Sequence, residues 1–474
     1  MSRPLFVALQ QLLGASYVQT SEEAAPYLTD KQGRYVGQVI AAVHPASTEE
    51  VAAVVRMCAA CETPVVVQGG NTGLMGGATP DATGRAVLLL LDRMNRVRAV
   101  DTDNDTLTVE AGCILHTIQD VARDAGRLFP LSLGAEGSCT IGGNLGTNAG
   151  GTAVLRYGNT RELTLGLEVV TAQGEIWNGL RGLRKDNTGY DLRDLFIGSE
   201  GTLGIITAAT LKLFPLPKAQ ATALLAFDSL AQAVTFLSHA RAGFGASLTA
   251  FELLSAECLT LLREQFPEGP QPFLGASQPW FALLELSDNH SESHAREAFE
   301  QVLGEAFEQS LLADALIAES LAQSQALWLL RENMSEAQKR AGHNMKHDIS
   351  VPISQVVAFV AHTDALLQQH FPGVRHYTFG HLGDGNLHYN VAHPHTSTVE
   401  AHMAHYAALS QLVHDSAHAH GGSISAEHGI GQRKRGMLRR YKSPVELDLM
   451  RRIKQALDPN NLLNPGKVLE GIGS

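Results

Sequence analysis

Residues 134–151 read GAEGSCTIGGNLGTNAGG, seven glycines in eighteen positions between ordinary apolar segments. Glycine loses more backbone entropy on ordering than any other residue, so such a run persists where the backbone takes positive φ or lies directly against a ligand. A phosphate or a flat ring is the guest it suits. The polar side chains here, Ser138, Thr140, Asn144, Thr147 and Asn148, carry no charge, so binding would rest on backbone N–H groups and neutral hydrogen bonds. Taken alone, the stretch also reads as a structural glycine-rich turn.

A second glycine-rich loop, GGNTGLMGG at 69–77, follows the apolar run PVVVQ at 64–68, which reads as a buried strand. A helix leads into it. Ser47 and Thr48 offer a cap, Glu49 and Glu50 an acidic first turn, and apolar residues recur at helical spacing up to Ala60. The loop has neither G-x-G-x-x-G spacing nor a P-loop lysine, which argues against nicotinamide and ATP. Positions 86–91, 106–110 and 165–171 read as strands and 114–125 as a helix, and a third polar, glycine-rich segment spans 185–207. Three such loops in one α+β region point to a single extended ligand.

At 474 residues the chain exceeds one ordinary core, so two or three domains are expected. A net charge of −12 argues against nucleic acid or an anionic membrane as partner, and an anionic substrate must find a local basic pocket. No apolar run is long enough to span a bilayer and no signal-peptide pattern opens the chain, so a cytoplasmic protein without a transmembrane segment is expected. Five cysteines without framework spacing predict reduced thiols, the lone C-x-x-C at Cys58 and Cys61 falling inside a helical pattern. After Pro217 the composition turns Ala-, Leu- and Gln-rich. Helical segments at 228–242, 291–309 and 316–341 alternate with strand-like pieces at 280–286 and 348–351, which predicts a second domain with an antiparallel sheet and helices on one face.

Twelve of the twenty histidines lie between His370 and His428. In FGHLGDGNLHYN at 379–390, Gly383 and Gly385 let the chain fold back so that His381 and His388 can face one point, and SAEHGIG at 425–431 supplies Glu427 as a third donor. Two imidazoles and a carboxylate leave positions open, as in a catalytic divalent-metal site. Ordinary surface or core histidines are the competing reading. Arg331, Ser335 and Lys346 offer an anchor for a substrate carboxylate, Arg331 through a bidentate pair, although each also suits an ordinary helix surface.

Three motifs in order, GGNTG at 69–73, GGNLGTNAGG at 142–151 and NTGYDL followed by GSEGTLGIIT within 187–207, resemble the vanillyl-alcohol-oxidase/PCMH type of FAD enzyme over nearly the whole chain. The resemblance implies an α+β architecture: a PCMH-type FAD-binding domain at 1–217, an α+β cap (substrate) domain at 218–418, and a C-terminal segment at 419–474 that returns to the flavin and completes the active site. It implies that Gly69, Gly70, Asn71, Thr72, Gly73 and Leu74 wrap the FAD pyrophosphate. Gly134, Ser138, Gly142, Gly143, Asn144, Thr147, Gly150 and Gly151 would contact the diphosphate, ribityl chain and flavin, with Gly204 and Ile206 along the cofactor. Many members tether FAD through His or Cys; Asn71 and Thr72 stand in this loop, so non-covalent FAD is expected.

HLGDGNLHYN, AEHGIG and LNPGKV are similar to the FAD-linked D-2-hydroxy-acid dehydrogenases, the branch of D-2-hydroxyglutarate and D-lactate dehydrogenases. In that branch the positions matching His381, His388 and Glu427 bind a divalent metal, usually zinc-like, and the position matching His428 is the catalytic base. Asn390 would hydrogen-bond substrate, Asn464 would return the chain to the flavin, and Arg331, Ser335 and Lys346 would line the substrate pocket, with Ser335 where Thr is common. The implied reaction oxidises a D-2-hydroxy acid to the 2-oxo acid by hydride transfer to flavin N5. D-2-hydroxyglutarate is favoured because two basic residues suit a dicarboxylate. D-lactate, D-malate, an oxygen-using oxidase and a non-catalytic flavin-binding protein are the alternatives. The same analogy implies a homodimer and an electron-transfer flavoprotein or quinone as acceptor.

Overall fold

Ser47 accepts a hydrogen bond from the Glu50 N–H and starts the helix Thr48–Ala60, whose Val51, Val54, Val55 and Cys58 are buried. The helix packs over a four-stranded sheet in which Val39–Val43, Ala86–Leu90 and Val65–Gln68 run parallel and Val18–Gln19 pairs antiparallel at one edge. These strands are almost continuously apolar because both faces are covered: Val43, Val87 and Leu89 join one core, Ala42, Leu88 and Leu90 another. The opposite edge strand, Val65–Gln68, is capped by residues 462–464. There the Val65 N–H donates to the Leu462 carbonyl at 2.9 Å and the Asn464 N–H to the Val65 carbonyl at 2.7 Å. Buried Lys454 fastens this return, its Nζ donating to the Thr202 carbonyl at 2.7 Å and the Leu463 carbonyl at 3.0 Å. A five-stranded antiparallel sheet follows in the order Val97–Asp101, Thr106–Glu110, Ile205–Lys212, Thr164–Val170, Ile176–Gly179.

This computed structural model describes residues 2–342, 344–394 and 398–470. They divide into two compact units, one of residues 1–150, 159–215 and 427–474, the other of 151–158 and 216–426. The divisions differ from 217/218 and 418/419 for local reasons. The short helix Val154–Tyr157 packs with the second unit, where the Arg156 guanidinium donates to the Ser287 carbonyl at 2.6 Å. Residues 419–426 stay with that unit because Ser423 pairs with Ser350 across an antiparallel bridge.

The second unit is built on one large antiparallel sheet centred on Ala219–Phe227, Trp280–Asp288, Leu248–Ser255, Arg375–His381 and Asn386–Ala392. Helices cover both of its faces, not one. Leu225, Phe251, Leu253 and Leu284 pack beneath Leu230–Phe244, Glu292–Glu308 and Val356–His370, while Leu224, Leu254, Phe281 and Phe379 pack beneath Ala256–Gln265, Leu321–Glu332 and Met334–Arg340. The strands therefore carry apolar residues at consecutive positions, which hides the period of two that a half-exposed sheet shows. The expected helix at 316–341 is two helices, because Ser320 caps Leu321–Glu332 and the residues before it form the edge strand Asp314–Ile317.

Glu285 lies on the second of these faces, where Trp328 Nε1 donates to its Oε2 at 2.7 Å. Burial pushes its carboxyl up to about 7, the Trp328 hydrogen bond reversing only part of the effect. The unfolded chain therefore loses this proton first, near the ordinary 4.5, and stability falls as pH rises from there to about 7. Glu285→Gln keeps an acceptor for Trp328 and removes that penalty. Its denaturant midpoint is expected to show a gain of about 2–3 kcal/mol at pH 8 and under about 1 kcal/mol at pH 5. Equal gains at the two pH values would exclude ionisation as the cause.

Candidate active site

In the first unit the glycine-rich loops pack directly on each other. A Cβ at Gly69 would stand 2.2 Å from Thr140 Oγ1, one at Gly70 2.0 Å from the Ser138 carbonyl, and one at Gly142 2.8 Å from the Ala111 Cβ. These glycines are required by protein contacts. At Gly73 and Gly146, by contrast, an added Cβ would meet open space. Part of the 134–151 stretch is helical: Ile141–Thr147 forms two turns ended by Asn148 at φ +51°.

The loops enclose a cleft that is partly open to solvent. Gly69, Gly70, Asn71, Thr72, Gly73, Gly142, Gly143, Asn144, Thr147, Gly204, Ile206 and Asn464 line it, and so does His428. Leu74, Gly134, Ser138 and Gly150 are not among the lining residues, and Gly151 belongs to the second unit. Several expected side chains are engaged elsewhere: Asn71 Nδ2 donates to the Thr29 carbonyl at 2.9 Å and Thr147 Oγ1 to the Gly143 carbonyl at 3.1 Å. Asn464 Nδ2 donates to the carbonyls of Gly77 and Glu200, at 3.0 and 2.6 Å. Three buried oxygens, Thr140 Oγ1, Asn144 Oδ1 and Asn464 Oδ1, have no protein partner.

Two lining residues with ionisable side chains were given no role in the sequence. Cys139 is a buried thiol whose pKa burial pushes up. Glu200, at φ +52°, accepts the Ile430 N–H at 2.7 Å and the Gly431 N–H at 2.8 Å, one on each carboxylate oxygen. Burial pushes its carboxyl up and the two N–H groups work against that. Its effect is to brace the loop that follows His428, whose Nε2 lies 3.8 Å from Glu427 Oε1.

In the second unit the candidate ligands sit on the sheet face that carries Leu321–Glu332. His381 ends the strand Arg375–His381, His388 lies on Asn386–Ala392, and their rings are 5.7 Å apart. Each has a buried carboxylate directly across the ladder, Glu252 opposite His381 and Asp348 opposite His388. Glu252 Oε1 is 2.7 Å from His381 Nδ1, and its Oε2 accepts from Arg331 Nε at 2.6 Å. Burial pushes the Glu252 carboxyl up, but the charges and hydrogen bonds of His381 and Arg331 outweigh it and hold it at about 2. Asp348 Oδ1 is 3.9 Å from His388 Nδ1 and accepts from Asn386 Nδ2 at 3.0 Å; its Oδ2 accepts the Ala426 N–H at 3.2 Å.

Asn390 is placed differently from the expectation. Its Nδ2 donates to Gln338 Oε1 at 2.9 Å and its Oδ1 accepts the His347 N–H at 3.1 Å, so both ends of the amide are engaged inside the protein. Ser335 is exposed on Met334–Arg340, and Lys346 is half-buried. Glu252 and Asp348 went unassigned in the sequence; the signal for Glu252 was a lone charge inside the apolar strand LTAFELLS.

Two family models match the chain, the FAD binding domain over residues 39–179 and the C-terminal domain of FAD linked oxidases over 216–468. A D-2-hydroxyglutarate dehydrogenase of Xanthomonas citri pv. viticola is 40% identical over 473 residues, 99% of this chain and 98% of the relative. The mitochondrial D-2-hydroxyglutarate dehydrogenase of Bos taurus is 38% identical over 98% of this chain and 82% of its own. Among solved structures, p-cresol methylhydroxylase with substrate bound shares the fold at a TM-score of 0.78 and 18% identity, over 98% of this chain and 96% of that one. Fold and matched domains define a PCMH-type flavoenzyme. Within that class the chain belongs to the FAD linked oxidases and is an FAD-dependent dehydrogenase.

The cleft fits that cofactor. Its unpartnered oxygens suit hydroxyl or ring N–H donors, the open faces of Gly73 and Gly146 suit a closely approaching diphosphate, and Val67, Leu91 and Ile206 add an apolar wall. No Lys or Arg is among the lining residues. In the second unit, imidazole donors backed by carboxylates are the ligand chemistry of zinc and similar divalent ions. Among the described residues no helix is long and apolar enough to cross a membrane, and the cattle relative is named mitochondrial.

Proposed function

We propose that the chain oxidises D-2-hydroxyglutarate to the 2-oxo acid with non-covalent FAD and a divalent ion. The observation that carries the reading is the Arg331 guanidinium held beside His381 through Glu252, in a chain whose 38–40% identical relatives are named for this activity. FAD bound in the cleft supplies a two-electron acceptor that takes hydride from the substrate Cα. His381, His388 and Glu427 would hold the ion, here read as zinc; a hydroxyl bound to such an ion loses its proton more readily, as bound water does when its pKa falls from 15.7 to about 7.

His428 takes the proton from the 2-hydroxyl, a role suited to a side-chain type that titrates near neutrality. Arg331 and Lys346 neutralise the two carboxylates, Arg331 through N–H groups other than the Nε committed to Glu252. Ser335, four residues after Arg331, completes the proposed pocket, and Asn390 would join it by releasing Gln338. A cytoplasmic homodimer passing electrons to an electron-transfer flavoprotein or a quinone belongs to the same reading.

Anaerobic mixing of the metal-loaded protein with four acids tests it. D-2-hydroxyglutarate is expected to bleach the flavin at least tenfold faster than D-malate or D-lactate, and the L-isomer not at all. Prior treatment with a chelator is expected to slow bleaching by about 10²-fold or more, with zinc restoring it. Bleaching that is fastest with D-lactate would replace the substrate assignment, and rates unchanged by chelation would remove the metal from the reaction.

A further inference from the structure

We propose that Glu252 is a positioning residue serving the metal and the substrate carboxylate together: it fixes the His381 ring for ligation and holds Arg331 beside it. The inference rests on the assignment of His381 as a metal ligand and of Arg331 as a carboxylate anchor. Glu252 sits mid-strand in Leu248–Ser255, directly opposite His381 in the antiparallel ladder, and its side chain is 1% exposed.

A carboxylate can only accept, so the short contact of Glu252 Oε1 to His381 Nδ1, 2.7 Å, puts a proton on Nδ1 and leaves Nε2 as the atom able to ligate. Arg331 Nη2 makes a longer contact to Nε2, 3.4 Å, which a bound ion would displace. The carboxylate behind Nδ1 is the partner that orients a ligating imidazole and raises its basicity. The other carboxylate oxygen takes Arg331 Nε at 2.6 Å, so rotation of one side chain would displace both groups.

A purely structural account would need only a satisfied buried pair, and an apolar substitute often serves a fold as well. Retaining a buried charge between these two residues is explained by the orientation it imposes. Asp348 stands opposite His388 in the same manner, but at 3.9 Å the contact is longer and its oxygens also serve Asn386 and Ala426.

The test uses the full FAD-loaded chain and zinc alone. Glu252→Gln keeps the shape of the side chain, but its amide can donate to Nδ1 and so drive the ring proton onto Nε2. Competition with a chromophoric chelator is expected to show zinc affinity reduced 10–100-fold. At saturating zinc the KM for D-2-hydroxyglutarate is expected to rise several-fold, while flavin absorbance per chain stays that of the parent. A folded Glu252→Gln protein with zinc affinity within twofold of the parent would overturn the inference and leave the metal assignment standing. If the parent itself takes up no zinc, the metal assignment falls and this inference with it. Should Glu252→Gln not fold, the His381 ring of the zinc-free parent decides by nitrogen NMR, its resonances identified by their loss in His381→Ala. A proton on Nδ1 supports the proposal and one on Nε2 overturns it.

Discussion

Replacing His428 with alanine is expected to lower kcat for D-2-hydroxyglutarate by about 10²–10⁴-fold, the range over which a positioned general base contributes, while FAD and zinc content remain those of the parent. His428 is in the wall of the cleft, and the backbone of the loop after it has contacts of its own. Gly429 and Gly431 take φ of +77° and +51°, and a Cβ on either would meet Glu200 Oε1 at 2.8 Å or the Met75 carbonyl at 2.2 Å. Glu200 in turn accepts the N–H groups of Ile430 and Gly431. Removing the imidazole should therefore leave the backbone in place and delete the base. Partial recovery on adding free imidazole would identify the loss as that of a proton acceptor. Turnover at the parent rate would end the assignment of His428.

Gly70→Ala is expected to yield protein that retains less than about a tenth of the parent's FAD and is destabilised by about 3 kcal/mol or more, beyond ordinary overpacking because backbone is what must move. The added methyl carbon would stand 2.0 Å from the Ser138 carbonyl oxygen and 3.0 Å from the Cys139 Cα. No rotamer change relieves a clash with backbone, so the 69–77 and 134–151 loops must separate and the cleft between them must open. Flavin absorbance per chain after purification, with the melting temperature, measures both effects. Gly137→Ala is the control, since its Cβ meets no protein atom within 4 Å and it does not line the cleft. If Gly70→Ala held FAD as tightly as the parent, the two loops would not be the rigid pair that the packing indicates.

Much of the first unit was legible because its signals are local. The Ser47 cap with its acidic turn marks the helix Thr48–Ala60 to the residue, and the apolar runs at 64–68 and 86–91 fall on Val65–Gln68 and Ala86–Leu90. What glycine composition could not separate was close protein packing from ligand contact: Gly70 and Gly142 are needed for the first, Gly73 and Gly146 face open space. The second unit was harder to read. Its sheet is covered on both faces, so Leu224 and Leu225 are equally buried and alternation carries no information. The roles of Glu252, Asp348 and Glu200 depend on partners 129, 40 and 230 residues away, His381, His388 and Ile430, and no local pattern encodes a contact at such separations.

The pairing of Val65 with residues 462–464 bears on the order in which the molecule can assemble during synthesis. The strand Val65–Gln68 leaves the ribosome early, yet its outer edge cannot be covered until nearly four hundred further residues have been made. Over that interval the nascent chain presents an unpaired parallel edge beside two glycine-rich loops, a surface prone to wrong pairing. The second unit, by contrast, has its whole sheet within 219–392 and can close while the first still waits. Vectorial folding would therefore finish the middle of the sequence before its beginning. Chaperone dependence in cells should then track the time that edge stays bare, rather than the stability of the finished enzyme.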